Sequence, residues 1–162
     1  MDLDDIYRQY LHDIYRYLYS LCQSKPLAED LMQDTFYKAH FALLNGTIQD
    51  IKPWLFKVAY YTYIDHERKN KRITMEEQVD IIHYITPESQ IVESESFQIL
   101  IQYLNTLSFN EKHAIILCDV NGCSHEEAAA ILNLKINTIK SHLFRGRRKM
   151  RELIKEGVVN DG

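Results

Sequence analysis

Helix-breaking residues are scarce in this chain. Its 162 residues include five glycines and three prolines, so tight turns and long irregular loops are few, and the fold class expected is all-α. Cysteine is scarce too: Cys22, Cys118 and Cys123 are odd in number and form no CxxC pair. That argues against a disulfide framework and for a reducing, cytoplasmic setting. The N-terminal MDLDDIYRQY is acidic and has no apolar core, so no secretory leader is expected. No apolar run approaches the length of a bilayer span, so no insertion into lipid is expected either.

Signs of catalysis are equally thin. The seven histidines are scattered, with no HExxH, no phosphate-cradling glycine loop and no nucleophile triad. A helical di-metal site needs carboxylate-x-x-His pairs on two helices; Asp80–His83 is a single match. The expectation is a protein that is not an enzyme, with no catalytic residue, metal or cofactor.

What the chain does have is segregated charge. Its net charge is −4, yet Lys135 to Arg151 holds seven basic residues and no acidic one. Ile73 to Glu95 is the reverse: Glu76, Glu77, Asp80, Glu88, Glu93 and Glu95 occur there without a Lys or Arg, and Pro87 interrupts it. This pattern suits two small helical domains, 1–72 and 96–162, joined by a flexible acidic linker at 73–95.

Helical periodicity fills both domains. Leu3, Tyr7, Tyr10, Leu11, Ile14, Leu18 and Leu21 share one face of a first helix, which Lys25-Pro26 should end. A second helix, from about Leu27 to Leu44, turns Ala28, Leu31, Met32, Thr35, Phe36, Ala39 and Leu43 inward and Asp30, Gln33, Asp34 and Tyr37 outward. Asn45-Gly46 breaks it, and Asn45–Lys52 forms a loop. Pro53 suits the first turn of a third helix that ends in Arg68, Lys69, Lys71 and Arg72. Trp54, Phe56, Tyr60, Tyr61 and Tyr63 lie close together on it; Phe56 and at least one tyrosine should be core. Aromatics beside a positive track also suit single-stranded DNA, with stacking worth roughly 1–3 kcal/mol per base; Lys57 and the terminal cations would supply the track.

The C-terminal domain should contain a helix near Ser96–Thr106 and another running to about Val120, opened by a capping box at Ser108 and Glu111. Ser124 and Glu127 form a second box that starts a helix at His125. Ala129 is expected at the closest helix approach, Asn133 in a left-handed turn, and Asn137 or Thr138 as the cap of the next helix. Ile136, Ile139 and Leu143 should face inward, leaving Lys140, Ser141, Phe144, Arg145, Arg147 and Arg148 outside. Two short helices of which the second is basic make a helix-turn-helix for duplex DNA.

Taken together, AEDLMQDTF at Ala28–Phe36, PWLFKVAYYTYIDHERK at Pro53–Lys69 and DVNGCSHEEAAAILNLKINTIKSHLFRGRRKMREL at Asp119–Leu153 resemble an extracytoplasmic-function sigma factor, a small two-domain bacterial transcription initiation factor. The likeness covers Asp5–Arg72 and Gln98–Lys155. It implies binding to core RNA polymerase through Asp30, Gln33, Asp34 and Tyr37. It implies capture of the melted minus-10 element, as non-template single strand, by the loop with Asn45, Gly46 and Thr47 and by the third helix. The residues there are Trp54, Lys57, Tyr60, Tyr61, Arg68, Lys69, Lys71 and Arg72. It implies reading of the duplex minus-35 element by Thr138, Lys140, Ser141, His142, Phe144, Arg145, Arg147 and Arg148.

The resemblance further implies an anti-sigma partner, membrane-anchored, that holds the factor inactive. Five positions depart from the family pattern. Tyr60 and Tyr61 stand where Arg and Asn are usual, and Lys135, Asn137 and His142 replace Pro, Gly and Arg; neutral His142 offers one donor where Arg offers a fork. The acidic linker fits a segment threading a polymerase channel and a plain solvated tether equally well. The rival reading is a helix-turn-helix regulator that works without polymerase, which leaves the acidic face and the aromatic helix unexplained.

Overall fold

The computed structural model describes residues 2–46, 48–77 and 95–161. Among them every element is helical. The chain divides into two compact units, Met1–Val92 and Glu93–Gly162.

In the first unit, α1 spans Leu3–Cys22, α2 Lys25–Leu44 and α3 Ile51–Glu77. Asp2 caps α1 by accepting the Asp5 N–H at 3.0 Å, while the Asp5 carboxylate accepts the Asp2 N–H at 3.4 Å. The chain turns at Gln23, in the left-handed region with φ 58°, and Ser24 caps α2. Lys25-Pro26 therefore opens α2 and does not end α1. Proline lacks the N–H that a first turn leaves unpaired, so it costs nothing there.

The core of this unit joins Ile6, Ile14, Tyr17, Leu18 and Leu21 to Ala28, Leu31, Phe36 and Ala39 of α2 and Leu55, Phe56 and Ala59 of α3. Ile6 is fully buried, whereas Tyr7, an expected core residue, is 41% exposed and lies edge-on to Phe36 at 5.0 Å. Phe56 is buried as expected, but Tyr60 and Tyr63 are half-buried and Tyr61 exposed. The buried tyrosines, Tyr17 and Tyr19, come from α1, and Tyr17 meets Phe56 edge-on at 5.1 Å. α3 begins before Pro53 and continues past Arg72, because Ile73–Glu77 contains no breaker and a formed helix propagates readily. Residues 78–94 of the expected linker, with Asp80–His83, lie outside the described residues, and its last residue, Glu95, begins the next helix.

In the second unit, α4 spans Glu95–Leu104 and α5 Phe109–Ile115, which continues as a π-helical turn over Ile116–Val120. α6 spans His125–Leu132 and α7 Ile136–Asp161. Both expected capping boxes form, at Ser108 with Glu111 and at Ser124 with Glu127. The π turn is closed at Asn121, whose backbone N–H and side-chain amide both donate to the Ile116 carbonyl, at 3.0 and 2.7 Å. Gly122 then takes φ 71°, open to glycine without strain. Asn133 adopts the left-handed turn, φ 55°, as expected.

One expectation shifts. α7 starts at Ile136, so Asn137 and Thr138 lie inside its first turn rather than capping it; the Lys135 carbonyl already accepts the Ile139 N–H at 3.0 Å. On α6, Ala128 is fully buried and Ala129 half-buried. α5 and α7 approach closely at Gly146, where a Cβ would stand 2.7 Å from Ile115 Cδ1.

Candidate nucleic-acid interface

α7 owes its two-faced character to the spacing of Ile139, Leu143, Gly146 and Met150, which are buried. Three- and four-residue steps put them on one stripe. The opposite side is left to Lys140, Ser141, Phe144, Arg145, Arg147 and Arg148, all exposed, Phe144 by 64%. Thr138 and His142 are half-buried at the edges. An exposed phenylalanine among cations on the second helix of a helix-turn-helix suits a groove that offers phosphates and base edges together.

The cations do not all face outward unengaged. Arg147 makes a bidentate pair with Asp119 of the π turn, Nε to Oδ2 at 3.0 Å and one terminal nitrogen to Oδ1 at 2.7 Å. This pair raises the arginine's already high pKa. Lys149 donates to both oxygens of the buried Glu111 at 2.9 and 3.2 Å, and Arg145 Nε lies 3.6 Å from the same carboxylate. Lys149 thereby holds Glu111 below the usual carboxylate range, with burial opposing. Glu111 thus ties α7 to the start of α5 while capping that helix. A terminal nitrogen of Arg145 also lies 3.0 Å from His142 Nδ1. Partial burial, then the arginine charge, lower the pKa of His142, which favours the neutral ring. Lys140 and Arg148 make no ion pair among the described residues.

In the first unit, Asp30, Gln33, Asp34 and Tyr37 lie on the exposed side of α2. Tyr37 is 65% exposed and packs edge-on against Phe41 at 5.1 Å. α3 presents Tyr61, Arg68, Lys69 and Lys71 to solvent, with Trp54, Lys57 and Tyr60 half-buried. Asn45 and Gly46 are exposed; Thr47 and the Arg72 side chain lie outside the described residues. Beside the loop is a hollow of about 570 Å³ lined by Asp2, Leu3, Asp4, His40, Leu43, Leu44, Gly46, Ile48 and Ile51. A separate cleft of about 380 Å³ between α2 and α3 is lined by Lys38, Ala42, Trp54, Lys57, Val58 and Tyr61.

Three charged residues of these sites escape a sequence reading. Asp119 lies 28 positions from Arg147, and Glu111 is 38 from Lys149. Lys38 donates to Thr62 Oγ1 at 3.0 Å across 24 positions. No local spacing signals contacts of that range. The described residues hold no group of side chains suited to a metal ion, and none of their helices is long and apolar enough to cross a membrane.

Comparison with known proteins agrees with this architecture. Residues 6–73 match Sigma-70 region 2, and residues 97–150 match Sigma-70 region 4. The chain is 34% identical to the ECF RNA polymerase sigma factor SigM of Bacillus subtilis strain 168, over 99% of each chain. It is 29% identical to the RNA polymerase sigma factor YlaC of the same organism, covering 93% of this chain and 90% of that one. The sigma factor RpoE of Bartonella quintana, solved in complex with the anti-sigma factor NepR, superposes with a TM-score of 0.74 at 32% identity, covering 93% of this chain and 97% of that one. A helix-turn-helix preceded by an aromatic, cationic helical unit, matched over its whole length by such relatives, has one assignment: the chain belongs to the extracytoplasmic-function family of RNA polymerase sigma factors, which bind core polymerase and promoter DNA to initiate transcription.

Proposed function

We propose a division of labour among the exposed faces. Asp30, Gln33, Asp34 and Tyr37 dock core polymerase. The loop at Asn45, Gly46 and Thr47 captures an unpaired base of the minus-10 element. Trp54, Lys57, Tyr60, Tyr61, Arg68, Lys69, Lys71 and Arg72 hold the non-template strand around it. Thr138, Lys140, Ser141, His142, Phe144, Arg145, Arg147 and Arg148 engage the minus-35 duplex. The domains are 1–72 and 96–162, with 73–95 as linker; the factor acts in the cytoplasm and does no chemistry of its own.

The observation that carries this reading is the difference between the two cationic helices. α7 offers a row of exposed cations with one exposed phenylalanine, which suits a duplex groove. α3 offers clefts and aromatic side walls, which suit unstacked bases. A protein inhibitor belongs to the proposal as well, since the Bartonella quintana relative was solved with an anti-sigma factor. Its anchorage in a membrane rests on family resemblance.

Run-off transcription on a pool of genomic promoters, with purified core polymerase, tests the function. Start sites that need both proteins are expected. A promoter shift at nanomolar concentration without core, together with no factor-dependent start, would move the assignment to a polymerase-independent regulator.

A further inference from the structure

The cleft between α2 and α3 contains a cation, Lys38, that none of the contact sets proposed above includes. Lys38 is exposed on α2, four residues after Asp34, the spacing of a helical ion pair. Its ammonium is nevertheless drawn across to α3, where it donates to Thr62 Oγ1 at 3.0 Å. Thr62 is itself buried, and its hydroxyl donates to the Val58 carbonyl at 2.7 Å, so its position is fixed by its own helix.

An ammonium has three donors and Thr62 takes one, which leaves two for a ligand. The cleft holds about 380 Å³ between Lys38 and Lys57, with the rings of Trp54 and Tyr61 in its wall. No carboxylate is among its lining residues. Two cations, two aromatic rings and an acid-free lining complement a ligand that has a flat face and negative charge. A nucleotide of single-stranded DNA has both.

We propose that Lys38 is a further strand-binding residue, and that the Lys38–Trp54–Lys57–Tyr61 cleft holds one nucleotide of the non-template strand, base against an aromatic ring and phosphate between the two lysines. This rests on the assignment of α3 to the melted strand. It adds to that assignment a contact from α2 and a defined place for one nucleotide. The hollow beside Gly46 is a poorer candidate for a phosphate, because Asp2 and Asp4 line it.

Trp54 is the chain's single tryptophan, so its fluorescence reports this cleft directly. The experiment has two arms. A fluorescein-labelled single-stranded 12-mer is titrated against holoenzyme and followed by anisotropy. The unlabelled 12-mer is titrated against the full chain and followed by Trp54 emission. Lys38→Met keeps the apolar stem and removes the charge; Lys38→Arg restores it. The expected result is quenching of Trp54, a ~5-fold weaker affinity for Lys38→Met in both arms, and recovery in Lys38→Arg. Lys155→Ala, on an exposed part of α7 outside the proposed sites, controls for loss of general charge.

Strand binding by holoenzyme, with Trp54 emission of the full chain unmoved at saturating strand and Lys38→Met equal to the parent, overturns the cleft while leaving α3 as the strand-binding helix. Failure of the parent holoenzyme to bind the strand overturns both. A Lys38→Met loss that Lys38→Arg does not recover makes Lys38 a packing residue held by Thr62, and overturns the cleft as a phosphate site.

Discussion

At the scale of single residues, the most informative feature of α7 is the cation that is already paired. Arg147 grips Asp119 through two hydrogen bonds, yet both side chains remain about 40% exposed. An exposed pair of this kind contributes ~0–1 kcal/mol to stability, so its greater consequence is for binding. Holding the guanidinium on a carboxylate fixes which edge meets DNA and cancels a charge that would otherwise attract any phosphate. Asp119→Asn should release it. Non-specific duplex affinity should rise a few-fold, and the slope of log affinity against log salt should steepen by about 0.9, the value for one additional phosphate contact. Anisotropy of minus-35 and scrambled duplexes across a salt series measures both. An unchanged slope would show that Arg147 is not directed at the backbone. Little of this was legible in the sequence. The basic run from Lys135 to Arg151 was plain, and the outward set on α7 followed from the spacing of Ile139 and Leu143. The acids that hold Arg147 and Lys149 were not, because their partners lie 28 and 38 positions away.

At the scale of elements, the caps were the most legible part. Ser108 with Glu111 and Ser124 with Glu127 form the boxes their spacing predicts, because a cap is a local event, set within four residues. What depends on another helix was not legible. The π turn after Ile115 inserts a residue into a run that reads as continuous helix, and the close contact of α5 with α7 falls on Gly146. Helix propensity alone favours replacing Gly146, by about 1 kcal/mol for alanine. The neighbours oppose it: a Cβ meets Ile115 Cδ1 at 2.7 Å and Cγ1 at 3.3 Å, and Ile115 is itself buried. Gly146→Ala should therefore change stability little, as Ile115 rotates away. Gly146→Leu has no such escape and should cost ~1–3 kcal/mol through overpacking. The double variant Gly146→Leu with Ile115→Ala should recover much of the loss, and the shortfall from additivity reports the contact. Thermal melts of the four proteins decide it; strictly additive losses would mean that α5 and α7 are not in contact there.

At the scale of the whole molecule, charge is sorted by unit and by face, and a net charge of −4 conceals this. The acids of α2 and the cations of α7 belong to separate compact units, so altering one should leave the other's task intact. Asp30 and Asp34 sit four apart on an exposed helical face, an arrangement that costs a few tenths of a kcal/mol in isolation. A face that tolerates this repulsion gains when a basic surface covers it, and core polymerase is the partner the family binds. The double variant Asp30→Lys, Asp34→Lys replaces one like-charge pair with another, so stability should stay within about 0.5 kcal/mol. Affinity for core should fall by at least tenfold, and the fall should shrink as salt is raised, since the attraction removed is one that ions screen. Binding of the full chain to a minus-35 duplex should be unaltered. Competition of labelled parent and variant for core, beside duplex anisotropy, separates these effects. Equal affinity for core would leave the acidic pair a solvated face and move the polymerase contact to Tyr37 and its exposed neighbour Phe41. A parallel loss of duplex binding would mean that the two units do not act independently.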